Sequence, residues 1–187
     1  MIKIGAVNLA AVTYQTGFQI DEFLIHAANL LRADHVRLSG ILQENTRNAA
    51  GSCSAMTLID LTSQRRCGIS QDLGSQAQGC RLDPHGLTEI GALLDRSLDG
   101  TIELLVLNKF GKTEAEGGGL RSVFAHVIET GIPLLTAVRS PYIEAWLEFH
   151  GGLAVDLPTD LGRVLAWCGD AVRELRAARP AEFSPTV

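Results

Sequence analysis

The run Leu104-Leu105-Val106-Leu107 stops at once on Asn108-Lys109. A short, uninterrupted apolar run between segments of helical spacing is the pattern of a strand buried on both faces, as in the middle of a parallel sheet. Such a strand needs helices above and below it. The run therefore predicts an α/β architecture of three layers with a mainly parallel sheet. In open sheets of this kind the ligand lies beyond the carboxyl ends of the strands. Asn108, Lys109 and the loop that follows them to Glu116 thus occupy the place where binding or chemistry is expected.

The rest of the chain can be read around this strand. Val7–Thr13 is expected to be a first strand, and Ile20, Phe23, Leu24, Ala27, Leu30 and Leu31 then fall on one face of a helix. Val36–Leu42 is the second strand, so the two should be parallel with a right-handed crossover. Cys53–Leu61 and Arg65–Ser70 form a β-hairpin inserted into the sheet, turning at Thr62-Ser63-Gln64. Gln71–Arg81 is a long polar loop. Asp83-Pro84 starts a helix by capping and by a proline in the first turn, and Gly100 ends it. A helix over Leu120–Thr130 stops at Gly131, followed by a strand at Ile132–Val138 and a short helix from Ser140-Pro141 to Phe149. Gly152–Leu157 is the last strand and Leu161–Ala178 the terminal helix. With 187 residues, 46% of them hydrophobic, the chain can bury one sizeable core, read as a single domain over 1–178 with a flexible tail at 179–187.

Charge and cysteine usage narrow the partners. The net charge is −5 without a long Lys/Arg block, which argues against an extended nucleic-acid-binding face. No apolar run reaches the roughly 20 residues of a membrane span, and a signal peptide at the start is the weaker reading, because Asn8 interrupts the run and the segment works better as a first strand. A cytoplasmic location is expected. Cys53, Cys67, Cys80 and Cys168 make no CxxC pair and the histidines no HxxxH pair, so no structural metal is expected. Cys53 and Cys67 are read as two thiols facing each other across the hairpin.

Four polar groups follow four parallel strands: Tyr14-Gln15-Thr16-Gly17, Gln43-Glu44-Asn45, Asn108–Lys112, and Arg139-Ser140. Lys109, Lys112 and Arg139 give that edge of the sheet positive character, and the first amides of the first helix add anion-binding donors. The expected ligand is phosphate or another oxyanion. Its candidate contacts are Tyr14, Gln15, Thr16, Gly17, Gln43, Glu44, Asn108, Lys109, Gly111, Lys112 and Arg139, with Arg81 beside Cys80 as a further candidate. The competing reading is that these are solvated loop residues. Gly111-Lys112-Thr113 imitates the end of a P-loop, but that motif needs a glycine where Val106 stands. After the first strand, where a P-loop belongs, Val12–Asp21 contains no Gly-Lys-Ser/Thr.

The order of elements, the hairpin after the second strand and the segment LLVLNKFGKTEAEGGGLR resemble an uncharacterised bacterial family known as a domain of unknown function. That family is similar in turn to the small P-loop nucleoside triphosphatases first described from thermophiles. The resemblance covers about Val7 to Leu157. It implies a P-loop triphosphatase-type fold in which Asn108 stands for the aspartate that would hold magnesium and Lys109 for the glutamate that would position the attacking water. Some members of the family are associated with molybdenum-transport functions. The resemblance and the missing groups together imply a catalytically degenerate binder of a nucleotide, phosphate or metal oxyanion, with no catalytic residue assigned and an enzyme the less favoured outcome. One alternative is a hydrolase of nucleoside triphosphates or phosphate esters, with Glu114 or Glu44 as a substitute base. The other is an interaction module that binds a protein partner.

Overall fold

The computed structural model describes residues 8–47, 53–68 and 101–179. Seven strands form one sheet: β1 (Leu9–Tyr14), β2 (Leu38–Arg47), β3 (Cys53–Asp60), β4 (Arg66–Gly68), β5 (Leu104–Phe110), β6 (Leu134–Arg139) and β7 (Ala154–Leu157). Their order across the sheet is β4-β3-β2-β5-β6-β1-β7. β2, β5, β6, β1 and β7 are parallel, and the antiparallel pair β3–β4 extends the sheet beyond β2. The described helices are α1 (Ile20–Ala33), α2 (Lys112–Ala115), α3 (Arg121–Thr130), α4 (Ile143–His150) and α5 (Leu161–Ala178), with a 3₁₀ turn at Ser140–Tyr142.

Leu104 to Leu107 of β5 are each no more than 1% exposed, as an apolar run with helices on both sides requires. One face is covered by α1 and α5, where Ile20, Leu24, Ala28 and Leu31 meet Val164, Cys168 and Val172. The other is covered by α3 and α4. There Phe110 packs edge-on against Phe124 and Trp146, with ring centroids 5.9 and 5.1 Å away. The layers follow from right-handed crossovers. The chain passes from β1 to β2 in one direction over the α1 face, and from β5 to β6 and on to β7 in the other direction over the α3–α4 face. The two paths diverge between β1 and β6, which makes the carboxyl ends of that pair the topological switch point.

Two close-packed features hold the sheet. Gly40 in β2 has φ 121° and lies in register with Val106 of β5. A Cβ there would stand 2.0 Å from the Val106 carbonyl oxygen, so only glycine lets the two strands pair. At the opposite edge, the buried Glu103 carboxylate accepts from Arg176 Nε and Nη2 at 2.7 and 2.8 Å and from Arg37 N and Nη2 at 3.0 and 3.1 Å. The Arg176 hydrogen bonds lead in holding its pKa down at about 2, against the opposing effect of burial. This cluster ties the last turns of α5 to the start of β5.

The strands differ from the sequence expectation in two places. β2 runs on to Arg47 rather than ending at Leu42, because Gln43–Arg47 continue to pair with β3. Backbone hydrogen bonding does not require apolar side chains, so this part of the strand outlasts its hydrophobic run. Cys53 lies opposite Arg47 and Cys67 opposite Leu58, so the register does not set the two cysteines facing each other. The expected loop Gln71–Arg81, the helix from Asp83, Cys80 and the tail beyond residue 179 lie outside the described residues.

Candidate functional site

The site begins with an irregularity in β5. Leu105 and Val106 pair with Leu134 and Leu135 of β6, but the next pairs are Lys109 with Ala137 and Phe110 with Val138. Leu107 and Asn108 therefore share the single partner position of Thr136, which is a β-bulge. The Thr136 hydroxyl donates to the Asn108 carbonyl at 2.8 Å and so satisfies a buried acceptor at the bulge. The extra residue resets the alternation of the strand. Leu105, Leu107 and Phe110 all enter the core on the α3–α4 face, whereas a regular strand would turn Phe110 away from the two leucines. Lys109 is carried to the α1 side, where its ammonium meets Asp21.

Behind Lys109 runs a chain of amide side chains. Asn108 Nδ2 donates to Gln43 Oε1 at 3.1 Å, and Gln43 Nε2 donates to Asn45 Oδ1 at 2.6 Å. Asn45 Nδ2 in turn donates to Asp21 Oδ2 at 2.6 Å. Lys109 Nζ also donates to Asp21 Oδ2 at 3.1 Å and lies 2.8 Å from Oδ1 in ion contact. Oδ1 is buried and accepts no hydrogen bond, so the short approach to Oδ1 is a charge contact without hydrogen-bond alignment. Through these bonds the first turn of α1 is tied to β2, and β2 to β5.

Asp21, Asn45 and Lys109 form one wall of a cleft of about 250 Å³ at the switch point. Tyr14 and Arg139, register partners at the ends of β1 and β6, form its other side, and the turn Thr16-Gly17-Phe18 its rim. The Arg139 guanidinium lies 5.4 Å over the Tyr142 ring, and its Nη2 is 3.3 Å from the Tyr142 hydroxyl. Burial first, and the Asp21 charge second, push the Tyr14 hydroxyl up to about 12 against the opposing pull of Arg139. Tyr14 is therefore a protonated donor at neutral pH. Among the described lining residues Lys109 and Arg139 carry positive charge and Asp21 alone carries negative charge. The arrangement can bind an anion.

Of the residues singled out in the sequence, Tyr14, Thr16, Gly17, Lys109 and Arg139 line the cleft. Gln43 and Asn108 are buried behind it, 8% exposed each. Gln15 lies in the same exposed turn and accepts from the Phe18 amide, without lining the cleft. Glu44 alternates to the side of β2 opposite Gln43 and Asn45 and pairs with Arg66 at 2.5 Å. Gly111 and Lys112 also fall outside the cleft lining. The Gly111 amide donates to Glu114, and Lys112 is an exposed residue facing Glu116 one turn along α2 at 3.7 Å. Glu114, weighed as a base, is buried with each oxygen accepting a backbone amide, from Gly111 and Leu120, at 3.0 Å. It clasps a loop closed. Arg81 lies outside the described residues. Sequence reasoning missed Phe18, Gln19, Ile20 and Asp21 as cleft residues, and named Asn45 only within the polar group that follows the second strand, not as a contact. Asp21 gave no distinguishing signal, since an acid in the first turn of a helix is ordinary.

A magnesium-bound triphosphate would need a carboxylate free to hold the metal at this edge. Asn108 is an amide bonded to Gln43, and Asp21 is engaged by Lys109 and Asn45. This donor set does not fit that ion. Among the described residues no group of three or more His, Cys, Asp or Glu is placed to hold a metal, and no helix is long and apolar enough to cross a membrane.

A family model described as "Protein of unknown function (DUF2478)" matches residues 9–167. The molybdenum import ATP-binding protein ModC 2 of Bradyrhizobium diazoefficiens is 37% identical over 178 residues, which is 95% of this chain and 20% of that protein. The chain thus spans about a fifth of the length of this curated relative. The solution structure of a human cancer-related nucleoside triphosphatase matches with a TM-score of 0.59 at 15% identity, covering 91% of this chain and 100% of the other. At that identity the likeness is one of fold. The three-layer, mainly parallel sheet is that of the P-loop nucleoside triphosphatases.

Proposed function

The chain belongs to the DUF2478 family, and from that premise we propose that it is a non-hydrolytic binder of an oxyanion or of the phosphate of a nucleotide. The observation that carries this reading is the cleft at the switch point. It presents two cations and a protonated tyrosine at the place where the fold binds ligands, with no carboxylate free for a metal among the described residues that line it. Phosphoryl transfer depends on a metal ion and a lysine set around the terminal phosphate. Here the loop after β1 supplies neither a lysine nor a Gly-Lys-Ser/Thr, and Asn108 and Lys109, near the carboxyl end of β5, stand where the resemblance to the triphosphatases places acids. Binding survives these replacements better than catalysis does.

The relative named for molybdenum import and ATP binding supports a role in metal-oxyanion supply, with this domain reporting on a small anion or nucleotide. The test is a thermal-shift and calorimetric panel of phosphate, sulfate, molybdate, tungstate and nucleotides, each with and without magnesium. A ligand at a hundred times its dissociation constant stabilises the fold by about 2.7 kcal/mol. The expected result is a shift with an anion that magnesium does not enhance and that Arg139→Ala abolishes. Magnesium-dependent phosphate release would replace this reading with a hydrolase. A flat panel would leave the protein-interaction module.

A further inference from the structure

Asp21, the one carboxylate among the described residues that line the cleft, is unexpected in a site for anions, and its surroundings point to a use. Asp21 is fixed from behind, because Asn45 holds Oδ2 at 2.6 Å and is itself braced by Gln43. Its partner Lys109 reaches it from the end of a flexible side chain. Arg139 leans on Tyr142 and forms no ion pair among the described residues, so it is the cation most open to an incoming anion. An anion seated between Arg139 and Lys109 draws the ammonium away from Asp21. A carboxylate offers about four acceptor positions. The two hydrogen bonds now made both go to Oδ2, and Oδ1, buried and without a donor, depends on the ammonium alone. Once Lys109 turns to the ligand, Asp21 needs a proton donor, and the ligand is the group in position to supply it.

We propose that Asp21 selects, among tetrahedral oxyanions, those that keep a hydrogen, which makes inorganic phosphate the ligand class of this cleft. This inference rests on the oxyanion-binding reading above. A phosphate oxygen accepts from Lys109 and Arg139 while its P–OH donates to Asp21, so every charged group in the cleft keeps a partner. Sulfate, molybdate and tungstate carry no hydrogen near neutral pH. They accept from the two cations as well as phosphate does, but they confront the carboxylate with a bare oxygen. That leaves like charges in contact and an acceptor unfilled, which costs binding heavily in a partly desolvated site.

Isothermal titration calorimetry of the full chain at one pH near 7.5 tests this, with phosphate and arsenate as the hydrogen-bearing anions and sulfate, molybdate and tungstate as the bare ones. Adenosine monophosphate, whose phosphate monoester has a second pKa of about 6 and so carries no hydrogen at this pH, is a further bare anion and should bind as weakly as sulfate; binding as tight as that of phosphate overturns the hydrogen rule. The expected result is binding of phosphate and arsenate at least tenfold tighter than of the three bare anions. In Asp21→Asn, which is isosteric and keeps an acceptor for Asn45, that preference should collapse, chiefly through a gain in sulfate and molybdate affinity. Wild-type protein that binds molybdate or sulfate as tightly as phosphate overturns the selectivity and leaves the oxyanion reading standing. Wild-type protein that binds none of these anions overturns both. The wild-type ratio needs no variant, so the inference stays testable if Asp21→Asn fails to fold.

Discussion

Lys109 is the residue on which the site turns. Its side chain is 24% exposed and that of Asp21 15%, so the pair is better shielded than a surface salt bridge without being sealed in the core. Truncating one partner leaves the other poorly solvated. Lys109→Ala is therefore expected to cost about 1 to 2 kcal/mol in chemical denaturation, and to weaken oxyanion binding at least tenfold by calorimetry. Asp21→Asn separates the two effects, since it removes the same ion pair while making the cleft more positive. A Lys109→Ala protein with undiminished anion affinity would place the binding site elsewhere. By contrast, Cys168 is buried between α5 and the sheet, and burial pushes its thiol up to about 12. It should stay unmodified by thiol reagents in the folded protein while reacting in denaturant.

At the scale of the element, the bulge in β5 decides which way Lys109 and Phe110 point. Thr136 holds it through a single hydroxyl. Thr136→Val keeps the shape and removes the donor, leaving the Asn108 carbonyl without that bond. A loss of about 1 to 3 kcal/mol is expected by denaturant unfolding, with anion affinity falling as Lys109 loses its aim. Gly40→Ala acts on the neighbouring pair β2–β5, where the new methyl group would stand 2.0 Å from a backbone oxygen. It should cost about 3 kcal/mol or more, or prevent folding, read as a fall in Tm or loss of soluble protein. The strands themselves were legible in the sequence where burial wrote them: Leu104–Leu107, the helix stripe of α1 and the terminal helix Leu161–Ala178 all stand where apolar spacing put them. The far half of β2 was not, because Gln43–Arg47 carry no apolar run and are held by backbone pairing to β3 and by polar side-chain bonds, neither of which leaves a periodic signal in the sequence. Nor was the bulge. It arises from one surplus residue in Leu107-Asn108, neither of which is the glycine or proline that would announce it. Of the residues that the strand-end rule groups, Tyr14, Lys109 and Arg139 line one cleft, whereas Glu44 and Lys112 pair with Arg66 and Glu116 outside it. The rule specifies an edge of the sheet and says nothing about which side of a strand or helix each side chain takes.

For the whole molecule, two buried groups outside the cleft, among the described residues, are placed to make stability respond to acid. Glu103, held at about 2 against an ordinary 4.5, joins α5 and Arg37 to the start of β5. Because its pKa is lowered on folding, its contribution is complete above about pH 4.5 and disappears as pH falls toward 2, on the order of 3 kcal/mol in all. His150 accepts the Gly152 and Ala154 amides at 3.1 Å on Nδ1, and burial lowers its pKa below 6.5. Protonation forfeits both bonds, so this contribution is present above pH 6.5 and is lost below it. Thermal unfolding followed from pH 8 to pH 3 should show a first decline beginning near 6.5 and a second below 4.5. Arg176→Ala should weaken the second and spare the first. A single decline unaffected by Arg176→Ala would remove Glu103 from the account.

The position of β1 has a consequence for how the molecule comes into being. Leu9 pairs with Leu134 on one side and Ala154 on the other, so this early strand is clasped by two that lie in the last third of the chain. During synthesis Leu9–Val12, an apolar stretch almost wholly shielded in the finished sheet, has no partner until β6 and β7 have emerged. Contacts this distant in sequence form slowly, and an apolar strand left waiting is open to intermolecular pairing. Refolding from denaturant should accordingly be slow and sensitive to protein concentration.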